Sequence, residues 1–146
     1  LTDIKGSGIL NSLFDSYAPW FGEIPQRNSG VIIADRSGKV TGYASLGMVD
    51  RGELFVDLNT EVYKGMIIGE RNKMGDLDVN ITREKKMSNM RSSSKDNTVV
   101  LRPPKNLSLD QCIEFIAEDE LIEITPLNLR MRKMELDINK RRRSIK

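Results

Sequence analysis

Gly30-Val31-Ile32-Ile33-Ala34-Asp35-Arg36-Ser37-Gly38-Lys39-Val40-Thr41-Gly42-Tyr43-Ala44 is the stretch on which the fold class turns. Val31, Ile32 and Ile33 are β-branched, a polar Asp-Arg-Ser-Gly turn follows, and Val40, Thr41 and Tyr43 resume the pattern. Such side chains suit a pleated surface, so the stretch predicts a β-hairpin. Downstream, Leu54-Phe55-Val56, Val62-Tyr63 leading into Met66-Ile67-Ile68, the alternating Leu77, Val79 and Ile81, and Thr98-Val99-Val100-Leu101 are each bounded by glycine, asparagine or aspartate. The reading is an α+β chain that is mainly β, an antiparallel, barrel-like domain.

One helix stands out, over about residues 108–118. Ser108 and Gln111 have capping-box spacing, and Leu107 with Cys112 has that of a hydrophobic staple. Leu109, Cys112, Ile113 and Ile116 then fall on one face at helical spacing. Beyond it, Leu121–Thr125 and Leu127–Met131 predict two strands broken at Pro126, the second with Arg130 and Arg132 opposite Leu129 and Met131. Upstream, Ile9–Tyr17 fits helix and strand equally. Pro19, Gly22, Pro25 and Asn28 mark a connector, which sets a boundary near residue 27.

At 146 residues the chain buries one core of ordinary size. With 38% hydrophobic and 30% charged residues it belongs with folded chains, and no run is long enough for a bilayer span. A soluble, cytoplasmic protein without membrane association is expected. Histidine is absent, which removes the commonest general base and metal ligand, and there is no GxxxxGK[ST] phosphate loop. A single cysteine, Cys112, allows neither an internal disulfide nor a multi-cysteine zinc site, and a buried, inert thiol is expected there. No catalytic residue, metal site or cofactor is expected. The acidic block Asp110, Glu114, Glu118, Asp119, Glu120 and Glu123 reads as a solvated surface, or alternatively as a dock for a basic protein partner.

The cations lie elsewhere. Residues 83–97 hold Arg83, Lys85, Lys86, Arg91 and Lys95 against Glu84 and Asp96, with Ser88 and Asn89 among them and no helical or strand period. A long connection of this kind is either a solvated loop or a functional one, and its composition suits phosphate and base contacts. Arg130, Arg132, Lys133, Lys140, Arg141, Arg142 and Arg143 add a basic C-terminal stretch, with residues 136–146 expected to be a tail. Clustered cations on a chain of net charge +2 point to a polyanion partner.

The order of short motifs resembles the C-terminal part of the TypA/BipA translational GTPases. The matching pieces include Val49-Asp50-Arg51-Gly52-Glu53-Leu54-Phe55, Glu61-Val62-Tyr63-Lys64-Gly65-Met66-Ile67-Ile68-Gly69, Asp76-Leu77-Asp78-Val79-Asn80, Lys85-Lys86-Met87-Ser88-Asn89-Met90-Arg91, Val99-Val100-Leu101-Arg102-Pro103-Pro104 and Asp119-Glu120-Leu121-Ile122-Glu123-Ile124-Thr125-Pro126. The resemblance implies that residues 1–27 carry the last strand (Gly6–Tyr17) and linker of a ferredoxin-like domain, and that 28–135 form the family's own C-terminal domain. It implies a monomeric, non-catalytic ribosome-binding fragment, with GTP and Mg expected in an absent GTPase domain. Lys85, Lys86, Ser88, Asn89 and Arg91 match a loop that contacts large-subunit ribosomal RNA and the tRNA acceptor end. Lys95 and the other cations are further candidates, and DNA is not an expected partner. Glu84 replaces a usual glycine, Ser94-Lys95 a usual Gly-Thr, and Met134-Glu135 a frequent Arg-His.

Overall fold

The computed structural model describes residues 11, 13–20, 27–85 and 101–144. In chain order its elements are β1 (Val31–Ala34), β2 (Gly38–Lys39), α1 (Gly42–Leu46), β3 (Gly52–Leu54), β4 (Glu61–Val62), β5 (Met66–Arg71), β6 (Leu77–Val79), α2 (Leu109–Phe115), β7 (Glu120–Ile124), β8 (Leu129–Lys133) and α3 (Ile138–Ser144).

Every side chain of β1 is buried. Ile32 and Ala34 join one apolar cluster with Val40, Ala44, Val62 and Ile81, whereas Val31 and Ile33 join another with Cys112 and Met131. Alternate residues of a strand point to opposite faces, so β1 is covered on both sides, and this explains its unbroken apolar run. β5 repeats the arrangement, with Met66 and Ile68 in the first cluster and Ile67 in the second. The main sheet runs β6-β1-β5-β8-β7, with β3 also paired to β5.

The hairpin expected over 31–44 does not form. β1 pairs antiparallel with β5 and parallel with β6, so both of its edges are occupied and neither is open to β2. Instead β2 pairs with β4, and the chain then turns into α1, where the Thr41 hydroxyl caps the Ala44 amide. The sheet is therefore mixed and open, not the antiparallel barrel expected: β6 and β7 end it without meeting. Of the strand implied over Gly6–Tyr17, residues 11 and 13–17 have no regular structure and are exposed, and the rest lies outside the described residues. A strand needs neighbouring backbone to satisfy its polar groups, and no described strand borders residues 13–20. Thr98, Val99 and Val100 also lie outside the described residues, and Leu101 is not in a strand.

α2 begins as its sequence dictates. Ser108 Oγ accepts from the Gln111 amide at 3.3 Å and the Gln111 side chain accepts from the Ser108 amide at 2.9 Å. Ser108→Ala is expected to lower stability by about 1 kcal/mol in urea unfolding, and an unchanged midpoint would show that the reciprocal cap is dispensable. The helix stops at Phe115, short of the expected 118, because Glu120 reaches back to accept from the Ala117 amide and Ile116 turns to extended backbone. Its buried side is Cys112 with Phe115 and Ile116 packed nearby, and Leu107 joins the same cluster, while Leu109 and Ile113 are exposed. The expected tail contains α3: the Asp137 carboxylate accepts from the Asn139 and Lys140 amides, and Arg141, Arg142 and Arg143 fill the last turn, where the helix dipole favours cations.

Candidate nucleic-acid interface

The cations singled out from sequence divide into two groups according to what they touch. Lys133 is 2% exposed, and its ammonium lies 2.6 Å from Asp76, 2.8 Å from Asp119 and 2.9 Å from Glu120. An ammonium enclosed by three carboxylates, from just before β6, from β7 and from the turn before β7, cannot meet a phosphate. Lys133 is therefore a structural cation and not an RNA contact. On the other side of Glu120, Arg27 donates to both carboxylate oxygens at 2.8 and 2.9 Å, bonds the Phe115 carbonyl, and stacks 4.5 Å from the centre of the Phe115 ring. The reading that put Arg27 at the end of a linker, and Glu118-Asp119-Glu120 in water, missed this cluster. Glu118 and Asp119 are exposed, but Glu120 is buried.

Burial alone would push the Glu120 carboxyl up, yet the hydrogen bonds from Arg27, the Ala117 amide and Lys133 outweigh it and hold it below its ordinary value. Burial likewise opposes the charge on Lys133, and its bonds to Asp119, Asp76 and Glu120 overcome that and raise it. Both groups are thus charged at neutral pH, and each buried charge has an opposite charge beside it.

Three more candidates have acidic partners. Arg132 Nε lies 2.8 Å from Glu123, Arg141 pairs with Asp78, and Lys140 stands 4.0 Å from Glu135. The Arg141–Asp78 pair fixes α3 against β6. The other anchor of α3 is Asp137, whose carboxyl is held down at about 2, chiefly by the hydrogen bond from Lys64 and then by the Asn139 amide.

Among the described residues no carboxylate pairs with Arg83, Lys85, Arg130, Arg142 or Arg143. Arg83 and Lys85 are exposed where the chain leaves Ile81, and Arg142 and Arg143 are exposed on α3. The Arg141–Asp78 pair holds α3 beside β6, whereas Arg83 and Lys85 stand at the start of residues 83–97. Lys86, Ser88, Asn89, Arg91 and Lys95 lie outside the described residues.

Beside Arg83 lies a groove lined by Lys39, Thr41, Tyr43, Leu58, Asn59 and Lys85, with a volume of about 720 Å³. The Arg83 guanidinium sits 5.6 Å from the centre of the Tyr43 ring, and the Thr41 hydroxyl donates to the Arg83 carbonyl at 2.6 Å, tying the start of the long connection to α1. Lys39, Tyr43 and Asn59 did not emerge from the sequence as site residues. The hairpin reading placed Lys39 and Tyr43 on a strand, and nothing in the sequence reading singled out Asn59.

A family model described as the TypA/BipA C-terminal domain matches residues 29–138. A large ribosomal subunit assembly factor BipA of Haemophilus influenzae is 47% identical over 145 residues, 99% of this chain and 24% of that protein. Proteins of the same name from Bacillus subtilis and Salmonella typhimurium are 43% and 45% identical, over 97% and 99% of this chain and 23% and 24% of theirs. The chain thus spans about a quarter of the length of these relatives.

Proposed function

The chain belongs to the TypA/BipA family, whose C-terminal domain it carries, and from that premise we propose that it is the module that seats its parent on the large ribosomal subunit. Ribosomal RNA and the tRNA acceptor end are its partners. Lys85, Lys86, Ser88, Asn89, Arg91 and Lys95 make the contacts from the long connection, with Arg83, Arg130, Arg142 and Arg143 as further contacts. The parent is a GTPase whose GTP and Mg are held in a domain outside this chain, and the module itself does no chemistry. It works in the cytoplasm as a monomer, and among the described residues no helix is long and apolar enough to cross a membrane.

The observation that carries this reading is the division of the cations. Lys133, Arg132, Arg141 and Lys140 have acidic partners within the fold, while the exposed pair Arg83 and Lys85 at the root of the long connection has none among the described residues. Unpaired exposed cations keep their full attraction for phosphate. The acidic block gives the alternative, a protein dock, less support, because Glu120 and Asp119 are already bonded to Arg27 and Lys133.

With about four or five phosphates neutralised, log affinity for single-stranded RNA should fall against log salt with a slope near −3. A flat filter-binding titration would defeat the reading. Changing Lys85, Lys86 and Arg91 together to alanine should weaken co-sedimentation of the full-length protein with large subunits while altering stability by less than about 0.5 kcal/mol. Undiminished co-sedimentation would remove the loop from the contact.

A further inference from the structure

Resting on the reading of the module as an RNA binder, we propose that the groove between β2, α1 and the β3–β4 connection takes the base of one unpaired nucleotide of single-stranded RNA, with Tyr43 as the platform. Tyr43 and Leu58 are large apolar side chains left 43% and 42% exposed, and both line the groove. Gly42 also lines the groove, and a Cβ added there would meet no atom within 4 Å. The volume of about 720 Å³ falls within the roughly 300–1,000 Å³ of sites that enclose small ligands.

The polar lining suits a nucleotide. Asn59 is exposed, its backbone held at φ 61°, and no described residue hydrogen-bonds its side chain, so its amide offers both donors and an acceptor to a base edge. Lys39 and Lys85 are exposed on the rim, and Glu84 is the one carboxylate among the lining residues. The Arg83 guanidinium lies over one face of the Tyr43 ring, 5.6 Å from its centre, and brings positive charge to the platform. An acidic peptide would use the cations but leave the aromatic face and the amide idle. Base stacking on an exposed ring, an edge contact from an amide and phosphates on flanking lysines use all of them at once. A paired base is excluded, because its faces are already covered within the duplex.

The test measures binding of the intact protein to a uridine octamer and to a blunt RNA duplex of the same length, at several salt concentrations. Tyr43→Ala should weaken binding of the octamer about five- to a hundredfold, with Tyr43→Phe close to the unaltered protein. The slope against salt should stay the same in Tyr43→Ala, since the lost contact is to a base and not to a phosphate. Gly42→Leu, which adds bulk to the groove lining at a position where the first added carbon meets no atom, should give a similar loss, and the duplex should bind equally to all variants. If the unaltered protein binds the octamer with steep salt dependence while Tyr43→Ala and Gly42→Leu bind equally well, the groove is overturned and the broader reading stands. Absence of any RNA binding overturns both. Loss of a polyglutamate peptide, rather than RNA, in Tyr43→Ala would transfer the groove to a protein partner.

Discussion

Glu120→Ala is expected to cost about 3–5 kcal/mol in urea unfolding, because it removes the buried carboxylate that Arg27 and Lys133 share, leaving Arg27 without an acidic partner among the described residues and Lys133 with only the more exposed Asp76 and Asp119. Against a total stability of roughly 5–15 kcal/mol for a domain, that loss is enough to leave the variant partly unfolded at ambient temperature. The triple change Arg27→Met, Glu120→Leu, Lys133→Met should lie closer to the unaltered protein than the single change does. Apolar side chains of similar volume avoid the desolvation that the ions incur. A single variant that loses less than about 1 kcal/mol would mean that water reaches the cluster, and Lys133 would return to the list of surface cations.

The same cluster sets a pH window. The Glu120 carboxyl is lower in the folded chain than in the unfolded one, so its contribution is complete above the ordinary glutamate range and is lost as pH falls through its depressed folded value. Lys133 is raised, so its contribution is complete below the ordinary lysine range and is lost as pH rises through its folded value. Urea midpoints should therefore be flat from about pH 6 to 9 and fall on either side. In Glu120→Ala the acid limb should be shallower, and an identical limb would assign acid sensitivity to other carboxylates.

Ile32→Ala should remove about 2–5 kcal/mol, with Ile32→Val costing about 0.5–1.5 kcal/mol. Ile32 has no exposed surface, sits in the middle of β1 and packs in the cluster that holds Val40 and Ala44, the inner side of the proposed groove. Its truncation opens a cavity beneath α1, and the neighbouring sheet cannot close it, because β1 is bonded on both edges. Equilibrium unfolding checks the magnitude. A loss below about 1 kcal/mol would show that α1 settles onto the sheet.

Local chemistry was legible in the sequence, and long-range pairing was not. The α2 cap could be read because Ser108 and Gln111 satisfy each other across a single turn. The strands flanking Pro126 were legible because β7 and β8 are neighbours in sequence and pair directly. The partner of β1 was not, because adjacency favoured β2 while the true partners lie over thirty residues away. Lys133 had a signal that went unused. It continues the inward series Leu129, Met131, Lys133 on β8, so the strand's own alternation already placed it among the core residues. Charge alone does not reveal whether an ammonium in that register has carboxylates waiting: Glu120 faces it across the β7–β8 pair, but Asp76 comes from more than fifty residues away.

The joining of Arg27 to Glu120 and of Glu120 to Lys133 also bears on how the module is made. As the polypeptide is synthesised, β1 emerges early with both faces oily and both edges open, and its partner strands follow only tens of residues later. β1 can be paired on both edges once β6 has emerged, but the charge cluster cannot close until β8 has left the exit tunnel, so the nascent module stays unfinished until late in its synthesis. Contacts so distant in sequence imply slow, all-or-none closure, with a sticky intermediate until the last strand arrives.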